Sequence, residues 1–101
     1  MREEPFGPLA LISRFAQLHE AVADANAIPF GLVAYAFTET TRNSDYLSDQ
    51  LECGNLAINH FSPSGADIPF GGVKDSGYGR EGGIEGLQYY TTVKTISRLY
   101  S

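Results

Sequence analysis

The sequence has no tryptophan, one cysteine, one methionine and few basic residues. Cys53 has no second cysteine to pair with, so an intrachain disulfide is excluded and a reducing, cytoplasmic setting is expected. Lys and Arg number 7 against 12 Asp and Glu, a formal net charge of −5. The basic residues form no cluster, and phosphate binding needs a basic footprint, so nucleic acid is not an expected partner. No apolar run approaches the roughly 20 residues of a membrane span, so no membrane partner is expected either. Met1-Arg2-Glu3-Glu4-Pro5 carries no apolar signal region. No pair of His, Cys or carboxylate residues has metal-ligand spacing, and no metal site is expected. Internal repeats and linkers are also missing.

What remains reads as an α/β chain of one domain or part of one, since 101 residues bury a core only marginally. Leu9-Ala10-Leu11-Ile12 is a short apolar run that predicts a buried strand. Ser13 is the candidate cap of a helix from Arg14 to about Asn26, with Phe15, Leu18, Val22 and Ala25 as its apolar stripe. Gly31 to Phe37 is nearly continuous in apolar residues, as a doubly covered strand would be. Thr40 or Thr41 can cap a second helix reaching about Glu52, with Tyr46, Leu47 and Leu51 inward and Gly54 as its left-handed stop. Leu56-Ala57-Ile58 is a third strand. This alternation predicts a partial parallel sheet with flanking helices.

From His60 to Arg80 the periodicity stops and Gly, Pro and Ser recur, which marks a functional loop. Ile84, Leu87 and Tyr90 suggest a short helix, and the alternating, β-branched stretch Thr91 to Leu99 an exposed terminal strand. Three strands make a thin sheet with two unpaired edges. The chain is therefore expected either to belong to a larger sheet or to complete itself in an oligomer.

Three ordered stretches carry a resemblance. They are Glu4-Pro5-Phe6-Gly7-Pro8, Phe30-Gly31-Leu32-Val33-Ala34-Tyr35-Ala36-Phe37-Thr38, and Gly54-Asn55-Leu56-Ala57-Ile58-Asn59 followed by Pro69-Phe70-Gly71-Gly72-Val73-Lys74-Asp75-Ser76-Gly77-Tyr78-Gly79-Arg80-Glu81-Gly82-Gly83. In this order and spacing they resemble the end of the aldehyde dehydrogenase superfamily. The resemblance implies that residues 1–90 are the C-terminal part of the catalytic domain and residues 91–101 its oligomerisation strand. It implies NAD or NADP as cofactor and oxidation of an aldehyde to a carboxylate through a cysteine thioester. Asn59-His60-Phe61 and the stretch from Lys74 to Gly79 look most like the succinate-semialdehyde branch.

By the same resemblance, Glu4 matches the acid that accepts from the nicotinamide ribose hydroxyls, and Phe6 the aromatic beside the nicotinamide ring. Phe70 matches a wall of the aldehyde passage. Ser62, Pro63 and Ser64 fall where the family varies residues to choose substrate, and Ser64 could bond a distal carboxylate. Arg80 resembles an arginine that links the subunit interface to the active-site loops. The family's nucleophile, general base and Rossmann domain match nothing in these residues, so no catalytic residue is carried over. Tight NAD(P) binding by this chain alone is not expected.

Other features have plainer readings. Cys53 is expected to be structural: it stands at a predicted helix C-terminus, whose negative dipole end would raise a thiol's pKa. Gly77-Tyr78-Gly79-Arg80-Glu81-Gly82 spells a dinucleotide fingerprint, but no strand precedes it and no acid follows at the right distance. His19 reads as solvated, while His60 ends a strand where α/β sites gather. Two functions stand side by side. One is a dehydrogenase segment that shapes the cofactor and aldehyde sites beside a full-length or upstream polypeptide. The other is a non-catalytic protein whose sheet edges and tail drive self-association or pairing with a full-length homologue. The start at Met1, just before the family's strand, is what a complete short gene would show.

Overall fold

A computed structural model describes residues 3–101; Met1 and Arg2, which open the expected catalytic-domain portion, lie outside the described residues. The elements are α1 (Leu18–Asn26), β1 (Phe30–Gly31), β2 (Val33–Ala36), α2 (Thr41–Gln50), β3 (Asn55–Ile58), β4 (Val73–Lys74) and α3 (Glu85–Gln88). β2 and β3 pair in parallel, Val33 opposite Asn55 through Ala36 opposite Ile58, with α2 as the crossover. β1 and β4 form a separate antiparallel pair, Phe30 opposite Lys74. The chain is α/β, as expected.

α2 forms where the sequence signals it. Thr40 is extended and its hydroxyl accepts from the Asn43 N–H at 3.3 Å, which satisfies one orphan donor of the first turn. Leu47 points into the core, Leu51 is half-buried and Tyr46 is largely exposed. Gly54 does not end the helix. The C-cap is Leu51 in an extended conformation. Gly54 is needed for a different reason: a Cβ there would lie 1.6 Å from the Gly71 carbonyl oxygen.

α1 starts later than the apolar stripe suggests. The cap is Gln17, and the Glu20 carboxylate reaches back to the Ala16 and Gln17 N–H groups, each at 3.0 Å. Ser13 has no acid three residues on to do this, because position 16 is alanine. Phe15 consequently lies outside the helix and is 58% exposed, while Val22 is the residue α1 buries.

Three further expectations fail. Leu9 to Ile12 forms no strand and is exposed, and among the described residues no strand pairs with it. The apolar stretch 31–37 is broken at Leu32, where the chain passes from the antiparallel pair to the parallel one. Thr91 to Leu99 runs without pairing to any described residue. An apolar pattern specifies a strand only when another strand satisfies its N–H and C=O groups.

The core is small. Val22, Leu47 and Ala57 are its buried apolar residues, and Asn55 is its buried polar one. The Asn55 amide donates to the Leu32 and Gly71 carbonyls at 3.2 and 3.0 Å, fastening β3 to both the β1–β2 turn and the glycine-rich loop. Lys74 adds a second fastening. Its ammonium donates to the Asn26 and Ile28 carbonyls at 2.7 and 3.2 Å and pairs with Glu52 at 2.6 Å. The radius of gyration is 18.4 Å and the principal extents are 72 × 32 × 24 Å.

Candidate functional site

Two clefts receive three of the residues singled out in the sequence, Glu4, Ser64 and Phe70. The first, of about 300 Å³, is lined by Glu3, Glu4 and Pro5 on one side and by Ile28, Phe30 to Val33 and Ser76 on the other. The close approach of the loop to β1 shapes it. The Gly31 N–H donates to the Ser76 hydroxyl at 2.9 Å, and a Cβ on Gly31 would meet the Glu52 carbonyl oxygen at 2.5 Å. Glu4 therefore stands at an apolar cleft with its carboxylate exposed. Phe6 does not enter this cleft; its ring is 89% exposed.

The second cleft, of about 350 Å³, is lined by Ser64, Gly65, Ala66, Ile68, Phe70, Glu81 and Gly82. Phe70 and Glu81 exchange both backbone hydrogen bonds, at 2.7 and 2.8 Å, and this bridge closes the glycine-rich loop. Gly82 makes the closure possible. Its φ is +70°, and a Cβ would sit 2.6 Å from the Ile68 carbonyl oxygen. Ser64 and Phe70 thus share one cavity. Ser62 is outside it, on an exposed turn whose N–H donates to the His60 Nδ1 at 3.2 Å. The two clefts share no lining residue.

Arg80 acts within the loop. Its guanidinium donates to the Gly72 and Gly79 carbonyls at 2.9 and 2.8 Å. The glycine pattern from Gly77 to Gly82 lies in this loop and does not open a helix, since α3 begins only at Glu85. Cys53 is half-buried, three residues beyond the end of α2. Burial pushes its thiol pKa up, more than the hydrogen bonds from the Ala34 and Asn55 backbones bring it down. The direction is the one expected, but desolvation is the cause and not the helix dipole. Among the described residues, no three of His, Cys, Asp and Glu come together as a metal site.

Sequence reasoning missed the asparagines. Asn26 ties α1 to the end of α2, donating to the Gln50 carbonyl at 2.7 Å and accepting from the Glu52 N–H at 2.9 Å. Asn59, at the C-terminal end of β3, grips the Thr38 backbone through both side-chain atoms. A buried or strand-terminal Asn between apolar residues was the available signal, since its amide carries a donor and an acceptor together.

This frame sets carboxylate, hydroxyl and backbone polar groups beside apolar and aromatic walls. The same frame recurs in known proteins. A model of the aldehyde dehydrogenase family matches residues 1–96. The chain belongs to this family. It is 47% identical over 94 residues to a 4-(hydroxymethyl)benzenesulfonate dehydrogenase of Comamonas testosteroni, covering 93% of this chain and 20% of that protein. It is 45% identical over 96 residues to the NADP(+) succinate-semialdehyde dehydrogenase of Saccharomyces cerevisiae, covering 95% and 19%. Among solved structures, betaine aldehyde dehydrogenase of Staphylococcus aureus in complex with NAD+ superposes with a TM-score of 0.82 at 38% identity, over 88% of this chain and 18% of that one. Succinate-semialdehyde dehydrogenase of Burkholderia pseudomallei gives 0.81 at 44% identity, over 88% and 18%. The chain thus spans about one-fifth of the length of the curated relatives it matches.

Proposed function

We propose that residues 1–90 are the C-terminal part of the catalytic domain of an NAD(P)-dependent aldehyde dehydrogenase, and that residues 91–101 are its oligomerisation strand. In this reading the chain supplies walls and contacts while other residues of the assembled enzyme supply the nucleophile and base. The observation that carries it is the family match from residue 1 to 96, together with two clefts at the positions the resemblance marks for cofactor and aldehyde.

The residues present fit one half of a nicotinamide nucleoside. The Glu4 carboxylate is exposed, and its two oxygens can accept from the two hydroxyls of a ribose. The Phe6 side chain is exposed, and its flat ring can lie along a heterocycle. When bound, NAD(P)+ accepts the hydride released as the aldehyde becomes a carboxylate. Glu4 and Phe6 hold and orient; they move no proton. Ser64 and Phe70 line the aldehyde passage, with Ser62 and Pro63 at its rim, and Arg80 keeps the loop behind them in shape by bracing two carbonyls.

For the substrate we infer a short semialdehyde. Supporting it are the Asn59-His60-Phe61 and Lys74-to-Gly79 stretches and the Ser64 hydroxyl in the second cleft, a donor for a distal carboxylate. The lone, partly buried thiol suits a reducing cytoplasm, and no helix of the described residues is long and apolar enough to cross a membrane.

The test is complementation. The 101-residue chain is co-expressed with the yeast succinate-semialdehyde dehydrogenase shortened by the segment it matches. Co-purification and NAD(P)+-dependent oxidation of succinate semialdehyde in preference to an aliphatic aldehyde are expected. A chain that pairs only with itself and restores no activity supports the non-catalytic reading instead, and activity from the chain alone contradicts both.

A further inference from the structure

The C-terminal ends of parallel strands are where α/β proteins assemble their sites. Here those ends are Phe37-Thr38 after β2 and Asn59-His60 after β3. Asn59 has a φ of +62°, one of two non-glycine residues among those described with a left-handed backbone. Asn tolerates this region because its short amide can bond locally. Its backbone N–H donates to the Ala36 carbonyl at 2.8 Å, a last rung beyond the β2–β3 ladder. Its Oδ1 accepts from the Thr38 N–H and its Nδ2 donates to the Thr38 carbonyl, both at 2.9 Å. Thr38 is in turn joined to the start of α2, its hydroxyl accepting from the Thr40 N–H at 3.3 Å and the Asn43 amide at 3.4 Å.

The consequence lies in the next residues. A chain leaving β3 in the extended conformation would run on past Thr38. The left-handed turn at Asn59 reverses it, and the Phe61 ring comes to rest 5.0 Å from that of Phe37 and 5.7 Å from that of Tyr35. Tyr35 lies on β2 and Phe37 follows directly after it, two residues on, and both rings meet Phe61. His60 and Ser62 close the turn through the Ser62 N–H. Ser62, Pro63 and Ser64 follow directly on this clamped turn and its aromatic packing.

We infer that Asn59 is a positioning residue for aldehyde selection: its double clamp on Thr38 holds the 60–64 loop at the mouth of the aldehyde passage. This rests on the proposed function, in which that loop meets the substrate. The complemented dehydrogenase described above tests it, with Asn59→Gly and Asn59→Asp. Gly accepts the left-handed backbone freely but loses both clamp bonds. Asp keeps the acceptor and loses the donor to the Thr38 carbonyl. In each, KM for the semialdehyde is expected to rise about five-fold or more, the equivalent of one hydrogen bond. KM for NAD(P)+ is expected to stay within about two-fold, well under one hydrogen bond's worth. A complex inactive before any substitution refutes the functional reading. An active complex whose semialdehyde KM does not move in the variants refutes the positioning role alone. Failure of both variants to assemble refutes it too, since Asn59 would then be a folding residue.

Discussion

Gly54 and Gly71 approach so closely that a single methyl group has nowhere to go. The Cβ of an alanine at position 54 would fall 1.6 Å from the Gly71 carbonyl oxygen, which is backbone and cannot rotate away. Gly54→Ala is therefore expected to lower the unfolding free energy of the complemented enzyme by about 3 kcal/mol, at the upper end for overpacked sites. Urea titration measures it, with Gly65→Ala as the control. A Cβ at Gly65 meets only the Asp67 and Ile68 side chains, at 3.3 Å, and both can yield. Equal losses in the two variants would contradict the account. The residue scale also shows what a sequence carries and what it hides. Glu4 and Phe70 could be named because they stand in family motifs and Ser64 because it stands in the variable stretch between them, and each lines a cleft. Asn26, Asn55, Asn59 and Lys74 do their work by bonding backbone groups 16 to 48 positions away, which no local pattern announces.

Among the elements, those whose signals are local were legible and those that need a partner were not. α2 carries its own cap at Thr40 and its own inward Leu47. β3 was legible because β2 lies within reach through one crossover helix. The run from Leu9 to Ile12 and the tail from Thr91 have strand-like composition but no neighbour, so they remain unpaired. The start of α1 was misplaced because its cap is made from inside the helix, by Glu20. That arrangement has an electrostatic signature. The Gln17 N–H first, and the Ala16 N–H second, hold the Glu20 carboxyl below its ordinary range, against a smaller opposing effect of burial. A depressed carboxyl contributes stability that is complete above the ordinary Glu value, about 4.3, and is lost as pH falls through the lower folded value. A carbon-13 NMR titration of Glu20 in the complex is expected to show a midpoint below that of an ordinary Glu. A midpoint at or above that value would mean the carboxylate does not cap α1.

The whole molecule exposes more than a free-standing fold can. Its accessible surface is 8636 Å² for 11.0 kDa; a folded monomer of that mass exposes about 5,600 Å². Its 18.4 Å radius of gyration compares with about 13 Å for a compact chain of this length. Val93 and Leu99 are 99% and 95% exposed, and Ile84, Leu87 and Tyr90 add to the same uncovered apolar surface. The chain covers 20% of the length of the Comamonas dehydrogenase and 18% of that of the Staphylococcus betaine aldehyde dehydrogenase. These quantities support the proposed function, in which the segment is held in shape by the rest of an aldehyde dehydrogenase. Thermal and urea denaturation of the 101-residue chain by itself, followed by circular dichroism, tests that claim most directly. The account predicts a broad, non-cooperative change that becomes a sharp transition when the complementing polypeptide is present. A sharp two-state unfolding of the isolated, monomeric chain would contradict it.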